Sequence, residues 1–221
     1  MKRTAKLANK IYSGPVCSPK VHRQVACSRP ILWTVVLVVN WFSAAPVMAM
    51  DGIKLAVGKG SDRVDALRIS VQREWPYRWL HHDGWIFTGY WDVGLDHWNN
   101  EIKVARAFPE NLTATHEIWV ISGAPVFRWQ RETPTAHGLL PFLEMGTGAS
   151  IFSNRRLVSR GVEPRVFGIH FQFMTHIGAG IRFGEEQRFE LKLRKYHYSN
   201  ANIHHYNQGM DLLLLTYGYW F

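Results

Sequence analysis

The chain has 221 residues, enough for one domain or a tight pair with a sizeable core. Its 26 Lys and Arg against 17 Asp and Glu give a formal charge of +9, which on its own suggests nucleic acid or an anionic membrane as partner. An apolar content of 47% excludes a disordered basic tail, and two cysteines, Cys17 and Cys27, exclude a disulfide-dense scaffold or a Cys-rich zinc array.

The charge is concentrated at the start. Lys2, Arg3, Lys6, Lys10, Lys20, Arg23 and Arg29 precede an apolar run from Ile31 to Ala45 and the small-residue exit Val47-Met48-Ala49. Basic, apolar and small-residue regions in that order read as a secretory signal over 1–49, cleaved after Ala49. The competing reading is a membrane anchor, because the apolar stretch approaches spanning length. The basic region is longer than a signal needs, which favours a true translation start downstream of Met1. Seven of the 26 basic residues and none of the 17 acids lie in 1–49, so residues 50–221 carry 19 against 17, a net +2. Both cysteines leave with the leader. Nucleic acid is thereby excluded as a serious partner.

Beyond residue 50 the hydropathy alternates with period two, in long segments separated by polar or Gly/Pro-containing breaks. Strands are predicted at roughly 53–59, 63–74, 84–97, 114–129, 137–150, 166–182, 187–199 and 209–221. Eight long antiparallel strands fit a closed barrel, either a soluble one of the lipocalin kind or one spanning a membrane. The last strand discriminates. Asp211, Leu213, Leu215, Tyr217, Tyr219 and Phe221 share one face, and a terminal Phe preceded by alternating aromatics is the pattern of bacterial outer-membrane barrels. The expected architecture is therefore an all-β, eight-stranded antiparallel transmembrane barrel over 50–221, with Phe221 engaging the barrel-assembly machinery. Both termini would be periplasmic, and the long breaks at 99–113 and 153–164 would face outward.

The seventh strand carries the chemistry. Its even positions, Arg188, Glu190, Lys192, Arg194, Tyr196 and Tyr198, are polar and point to a filled lumen; the odd face points to lipid. On that lipid face, near the outer end, stand Lys195, His197 and Ser199, and Asp211 occupies the same face of the eighth strand. Polar groups facing lipid are costly and call for a reason. Serine is a weak nucleophile until a base takes its proton, and an acid orients the base. His197 and Ser199 sit about 7 Å apart by two strand rises, and antiparallel pairing across 200–208 brings Asp211 toward His197. The plainer reading is that these residues only mark the polar rim.

The string His197-Tyr198-Ser199-Asn200-Ala201, followed by Asn207-Gln208-Gly209-Met210-Asp211, resembles the C-terminal signature of the PagL family, the outer-membrane lipid A 3-O-deacylases. The resemblance is strongest over 194–221. It implies hydrolysis of the ester at position 3 of lipid A in lipopolysaccharide, releasing a 3-hydroxy fatty acid, with Ser199 as nucleophile, His197 as base and then acid, and Asp211 orienting His197. Asn200, Asn207 and Gly209 are the nearest oxyanion candidates, and Lys195 is placed to meet a lipid A phosphate. No cofactor or metal is implied. A family member with Glu at the acid position exists, and Asp211 is one methylene shorter, so the acid–His contact would be longer or need a backbone shift.

Other conspicuous residues read as structural. His81-His82-Asp83 and His204-His205 lack a third ligand pattern, and adjacent strand residues point to opposite faces. The tryptophans suit interfacial girdles. Asn111-Leu112-Thr113 matches a glycosylation sequon that means little in a bacterial outer membrane. Glu144, Arg182, Glu190 and Arg194 suit a polar core. The competing function is a non-enzymatic barrel, an adhesin or membrane-stabilising protein acting through its loops, which would have no need of the His197/Ser199/Asp211 face.

Overall fold

The computed structural model describes residues 50–100, 114–159 and 163–221; the predicted leader, most of the outer segment 99–113 and residues 160–162 lie outside them. Eleven strands follow in chain order: β1 (Gly52–Gly60), β2 (Asp65–Glu74), β3 (Trp79–His82), β4 (Trp85–Asn99), β5 (Glu117–Arg131), β6 (Leu140–Phe152), β7 (Arg156–Leu157), β8 (Arg165–Val166), β9 (Phe171–Phe183), β10 (Phe189–Ser199) and β11 (Met210–Trp220). Eight of them form the wall in the order β2-β1-β11-β10-β9-β6-β5-β4, every pair antiparallel, and β2 pairs with β4 to close the ring. Closure removes the free edges that an open sheet of such length would expose. Among the described residues the only helical elements are two single 3₁₀ turns.

The eight wall strands match the expected alternation, with three differences. β9 begins at Phe171 rather than near 166. Residues 165–166 instead pair with 156–157 in a small ribbon, and Phe167 turns into the barrel mouth, where it is fully buried. Apolar residues there mimic a strand face because they pack inward as a lid. The break at 75–83 contains β3, which lengthens the β4 hairpin.

The two faces of the wall differ sharply. Outward stand Ile53, Leu55, Val57, Leu67, Ile69, Val93, Ile121, Leu143, Leu193 and Leu215, all exposed, which is the surface of a barrel whose wall meets hydrocarbon. Aromatic rings gather at the end that holds the start of β1 and the end of β11: Phe189 contacts Phe183, Tyr217 and Tyr219, while Trp75 contacts Trp79, Trp91 and Phe127. Trp75 packs against Gly89, where an added Cβ would come within 2.3 Å of the indole, so only glycine fits beside that ring.

Inside, the barrel is filled rather than open. Its middle holds an ionic lattice. Glu144 meets Arg128 at 2.7 Å and Lys192 at 3.0 Å, and Tyr90 donates to it at 2.8 Å. Glu190 meets Lys54 at 3.2 Å and Arg128 at 2.8 Å; Asp92 bridges Arg68 at 2.8 Å and Arg194 at 3.1 Å. These groups are buried, and buried charges persist only when paired and hydrogen-bonded. Arg182 sits nearer the end that holds the start of β1, paired with Glu74 and lying over Trp220. Toward the outer end an apolar plug takes over, including Trp98, Phe152, Phe167, Met174, Tyr198 and Met210. Charged middle and apolar cap together leave structure, not a pore.

Removing one partner of the lattice strands the others. Glu144→Ala is expected to destabilise the barrel by about 3–5 kcal/mol. Lys59→Ala breaks an exposed pair with Asp65 and should cost less than about 1 kcal/mol. Urea unfolding in lipid vesicles, followed by tryptophan fluorescence, compares the two; equal effects would contradict the lattice as the structural core.

Candidate active site

Strand β10 belongs to the lattice on one face and to the membrane on the other. Glu190, Lys192, Arg194, Tyr196 and Tyr198 point inward and are buried, and three of them are held by ions from β1, β4, β5 and β6. With every second side chain fixed, the alternate ones must face outward. Leu191, Leu193, Lys195 and His197 are exposed there, and Ser199 is half-buried at the outer end.

Register then assembles the site. His197 stands directly opposite Asp211 on β11 and opposite Thr175 on β9, and Thr175 in turn stands opposite Thr147 on β6. The result is one polar row, Thr147–Thr175–His197–Asp211, across four strands of an otherwise apolar exterior. His197 Nδ1 and Asp211 Oδ1 are 2.8 Å apart, with the two side chains 53% and 52% exposed. The aspartate is thus long enough. Direct cross-strand pairing supplies the closeness that one fewer methylene takes away. A carboxylate only accepts, so the bond assigns the proton to Nδ1 and leaves the Nε2 lone pair free.

Ser199 is two residues beyond His197 on the same face, opposite Phe173. Its hydroxyl makes no hydrogen bond with the described residues, which leaves it free to turn toward Nε2. Below the row an open groove of about 570 Å³ follows the wall, lined by Met145, Thr147, Thr175, Ile177, Lys195, His197 and Asp211. Its walls are mostly apolar except at the polar row, a shape suited to an extended hydrocarbon chain with a polar end. Lys195 lies one row deeper than His197 and forms no ion pair with a described residue.

The other predicted residues also have places in the fold. Asn200 is fully buried. Its backbone N–H donates to Asn207 Oδ1 at 2.9 Å, and its Nδ2 donates to the carbonyls of Phe167 at 3.0 Å and Tyr206 at 2.7 Å. Both donors are spent, so Asn200 fastens the β10–β11 loop to the lid and is not an oxyanion donor in this arrangement. Asn207 closes the same loop, its Nδ2 bonding Asn202 Oδ1 at 3.0 Å. Gly209 has φ +59, and an added Cβ would meet Tyr198 O at 3.0 Å and His197 Cε1 at 3.4 Å. It therefore serves as the floor of the imidazole. His81, His82 and Asp83 lie at the opposite end of the barrel, and among the described residues no three His, Cys, Asp or Glu converge as metal ligands. Thr147 and Thr175 escaped the sequence reading, because parity marks a face while only strand register joins neighbours.

A family model described as lipid A 3-O-deacylase (PagL) matches residues 65–220, which contain every residue of the polar row and Ser199. The chain is 28% identical over 194 residues to lipid A deacylase PagL of Bordetella bronchiseptica, covering 88% of this chain and 97% of that protein. It is 28% identical over 173 residues to lipid A deacylase PagL of Pseudomonas aeruginosa, covering 78% and 87%. The crystal structure of the outer membrane enzyme PagL superposes with a TM-score of 0.63 at 25% identity, over 77% of this chain and 99% of that one. With fold, length and the matched span in agreement, the chain belongs to the lipid A 3-O-deacylase (PagL) family of outer-membrane enzymes.

Proposed function

We propose that this lipid A deacylase is a serine esterase working at the outer leaflet through Ser199, His197 and Asp211. The observation that carries the reading is the His197–Asp211 hydrogen bond on the lipid-facing wall, with Ser199 beside it on the same strand face. A structural barrel gains nothing from an imidazole hydrogen-bonded to a carboxylate in front of hydrocarbon.

In this mechanism Ser199 Oγ attacks the carbonyl carbon of the 3-O-linked acyl chain while its proton passes to His197 Nε2. Asp211 holds the ring through Nδ1 and stabilises the imidazolium that forms. The tetrahedral intermediate collapses by breaking the bond to the sugar oxygen, which takes the proton from Nε2 and leaves as the 3-hydroxyl of the glucosamine. Water then attacks the acyl-serine, its proton moving to His197 and on to Ser199, and the fatty acid departs. The developing oxyanion falls to the backbone near Gly209 and to the half-buried Asn207 amide, with Asn200 supporting both from behind. Lys195 suits a phosphate of the same lipid, reached by its stem extending toward the headgroups. The substrate enters sideways from the bilayer, so its acyl chain never crosses water. Residues 1–49 act as the export signal, and Phe221 as the assembly mark.

Expression in a Gram-negative host with unmodified lipid A, followed by mass spectrometry of the lipid, tests the assignment. The wild-type chain is expected to remove one 3-hydroxyacyl group, while Ser199→Ala and His197→Ala lose at least about 1000-fold in rate. Alanine variants that deacylate as well as wild type would remove both residues from the mechanism. Asp211→Asn keeps the size but frees the tautomer, and should lose about 100-fold or more while the barrel folds normally. Lys195→Ala is expected to raise KM for bisphosphorylated lipid A with kcat nearly unchanged; a change in kcat alone would argue against phosphate contact.

A further inference from the structure

Three outer segments converge on one guanidinium. Arg165, in β8 of the lid, meets Asp62 Oδ2 of the β1–β2 turn through Nε at 3.0 Å and Nη2 at 2.7 Å. Its third nitrogen, Nη1, donates to the carbonyl of Gly209 at 2.6 Å and to that of Gln208 at 3.1 Å. The neighbouring residue repeats the link, Val166 N–H donating to Gln208 Oε1 at 2.6 Å. The Arg165 and Asp62 side chains are only 18% and 29% exposed, so the ion pair at the centre of this junction is partly shielded from water.

The position of the junction matters more than its strength. Gly209 is the residue that abuts the His197 ring, in a left-handed conformation. Two residues later comes Asp211, whose carboxylate grips Nδ1. The peptide that Arg165 holds is thus the entry to β11, at the point where the chain leaves the β10–β11 loop and must deliver both the floor of the imidazole and its acid partner. The turn on the other side of the guanidinium is close as well: an added Cβ at Gly60 would meet Asp211 O at 3.1 Å. Only arginine offers a planar fork that can engage a carboxylate with one edge and backbone carbonyls with the other.

We infer that Arg165 is a positioning residue for the deacylation. By holding the carbonyls of Gln208 and Gly209 against Asp62, it sets the height of the His197 ring and the reach of Asp211, without touching substrate. This rests on the Ser199–His197–Asp211 reading. The consequence is kinetic: a shift of a catalytic group by about 1 Å costs about 100-fold in rate, whereas groove and headgroup contacts on the outer wall are untouched.

The test uses the full-length protein, exported, purified as folded barrel in detergent micelles and assayed on purified lipid A by the 3-hydroxy fatty acid released. Arg165→Met is expected to lower kcat about 100-fold with KM within about twofold of wild type. Arg165→Lys, which keeps a charge for Asp62 but cannot span both partners, should recover part of that loss and stand about tenfold below wild type. In ¹⁵N-histidine spectra the downfield Nδ1 proton of His197, absent in Asp211→Asn, should broaden or shift in Arg165→Met. Wild-type kcat and an unmoved proton signal in Arg165→Met, with His197→Ala inactive, would overturn the inference and leave the triad standing. Turnover by His197→Ala would instead overturn the triad reading itself. Should Arg165→Met not fold, Arg165→Lys decides: reduced kcat at unchanged KM supports positioning, and wild-type kcat refutes it.

Discussion

A strand in a closed barrel between lipid and a packed lumen has no freedom of face, because a shift by one residue would turn every charge into hydrocarbon and every leucine into the interior. In β10 this constraint is enforced by ions. Glu190, Lys192 and Arg194 are buried and tied across the lumen to Lys54 of β1, Glu144 of β6 and Asp92 of β4, each tie too costly to break singly. Whatever stands at positions 195, 197 and 199 is consequently presented to the membrane on a rigid wall. The outward side chains of β10 are held in place by groups on the strand's other face.

The outer end adds a second layer of support. Phe167 and the rest of the lid sink into the barrel mouth and fill it with apolar side chains, so the loop bearing Gly209 rests on packed protein rather than on water. Asn200 ties that loop to the lid from inside, and Arg165 ties it from the rim. A site on a bare loop would need ordering at each turnover. Here the ordering is done when the barrel folds, which is the general advantage of mounting reacting groups on rigid elements. The same geometry fills the lumen and leaves the groove open on the outer wall, which is what the proposed lateral entry of substrate needs.

Strand parity explains what could be read directly. The charged even positions and apolar odd positions of 188–199 specify face, lumen and lipid without any partner, and the His-x-Ser spacing specifies a shared face. The aromatics Tyr217, Tyr219 and Phe221 follow the same parity. Other features depend on contacts that alternation does not encode. Thr175 and Thr147 join the row through register alone, and Arg165 reaches Asp62 across 103 residues of chain. Asn200 looked like a donor beside Ser199, yet its one-residue offset from that serine turns it inward, where two carbonyls claim it. Residues 166–170 imitated a strand because a lid that packs into a barrel mouth must also be apolar.

If a lipid-facing Ser199 is made nucleophilic by His197 and Asp211, its reactivity can be read at the atom concerned. A long-chain alkyl fluorophosphonate, incubated with the folded protein in micelles and located by peptide mass spectrometry, reports which hydroxyl attacks. Adduct formation on Ser199 that disappears in His197→Ala is the predicted result. Stoichiometric labelling of another residue, or undiminished labelling of Ser199 without His197, would contradict it.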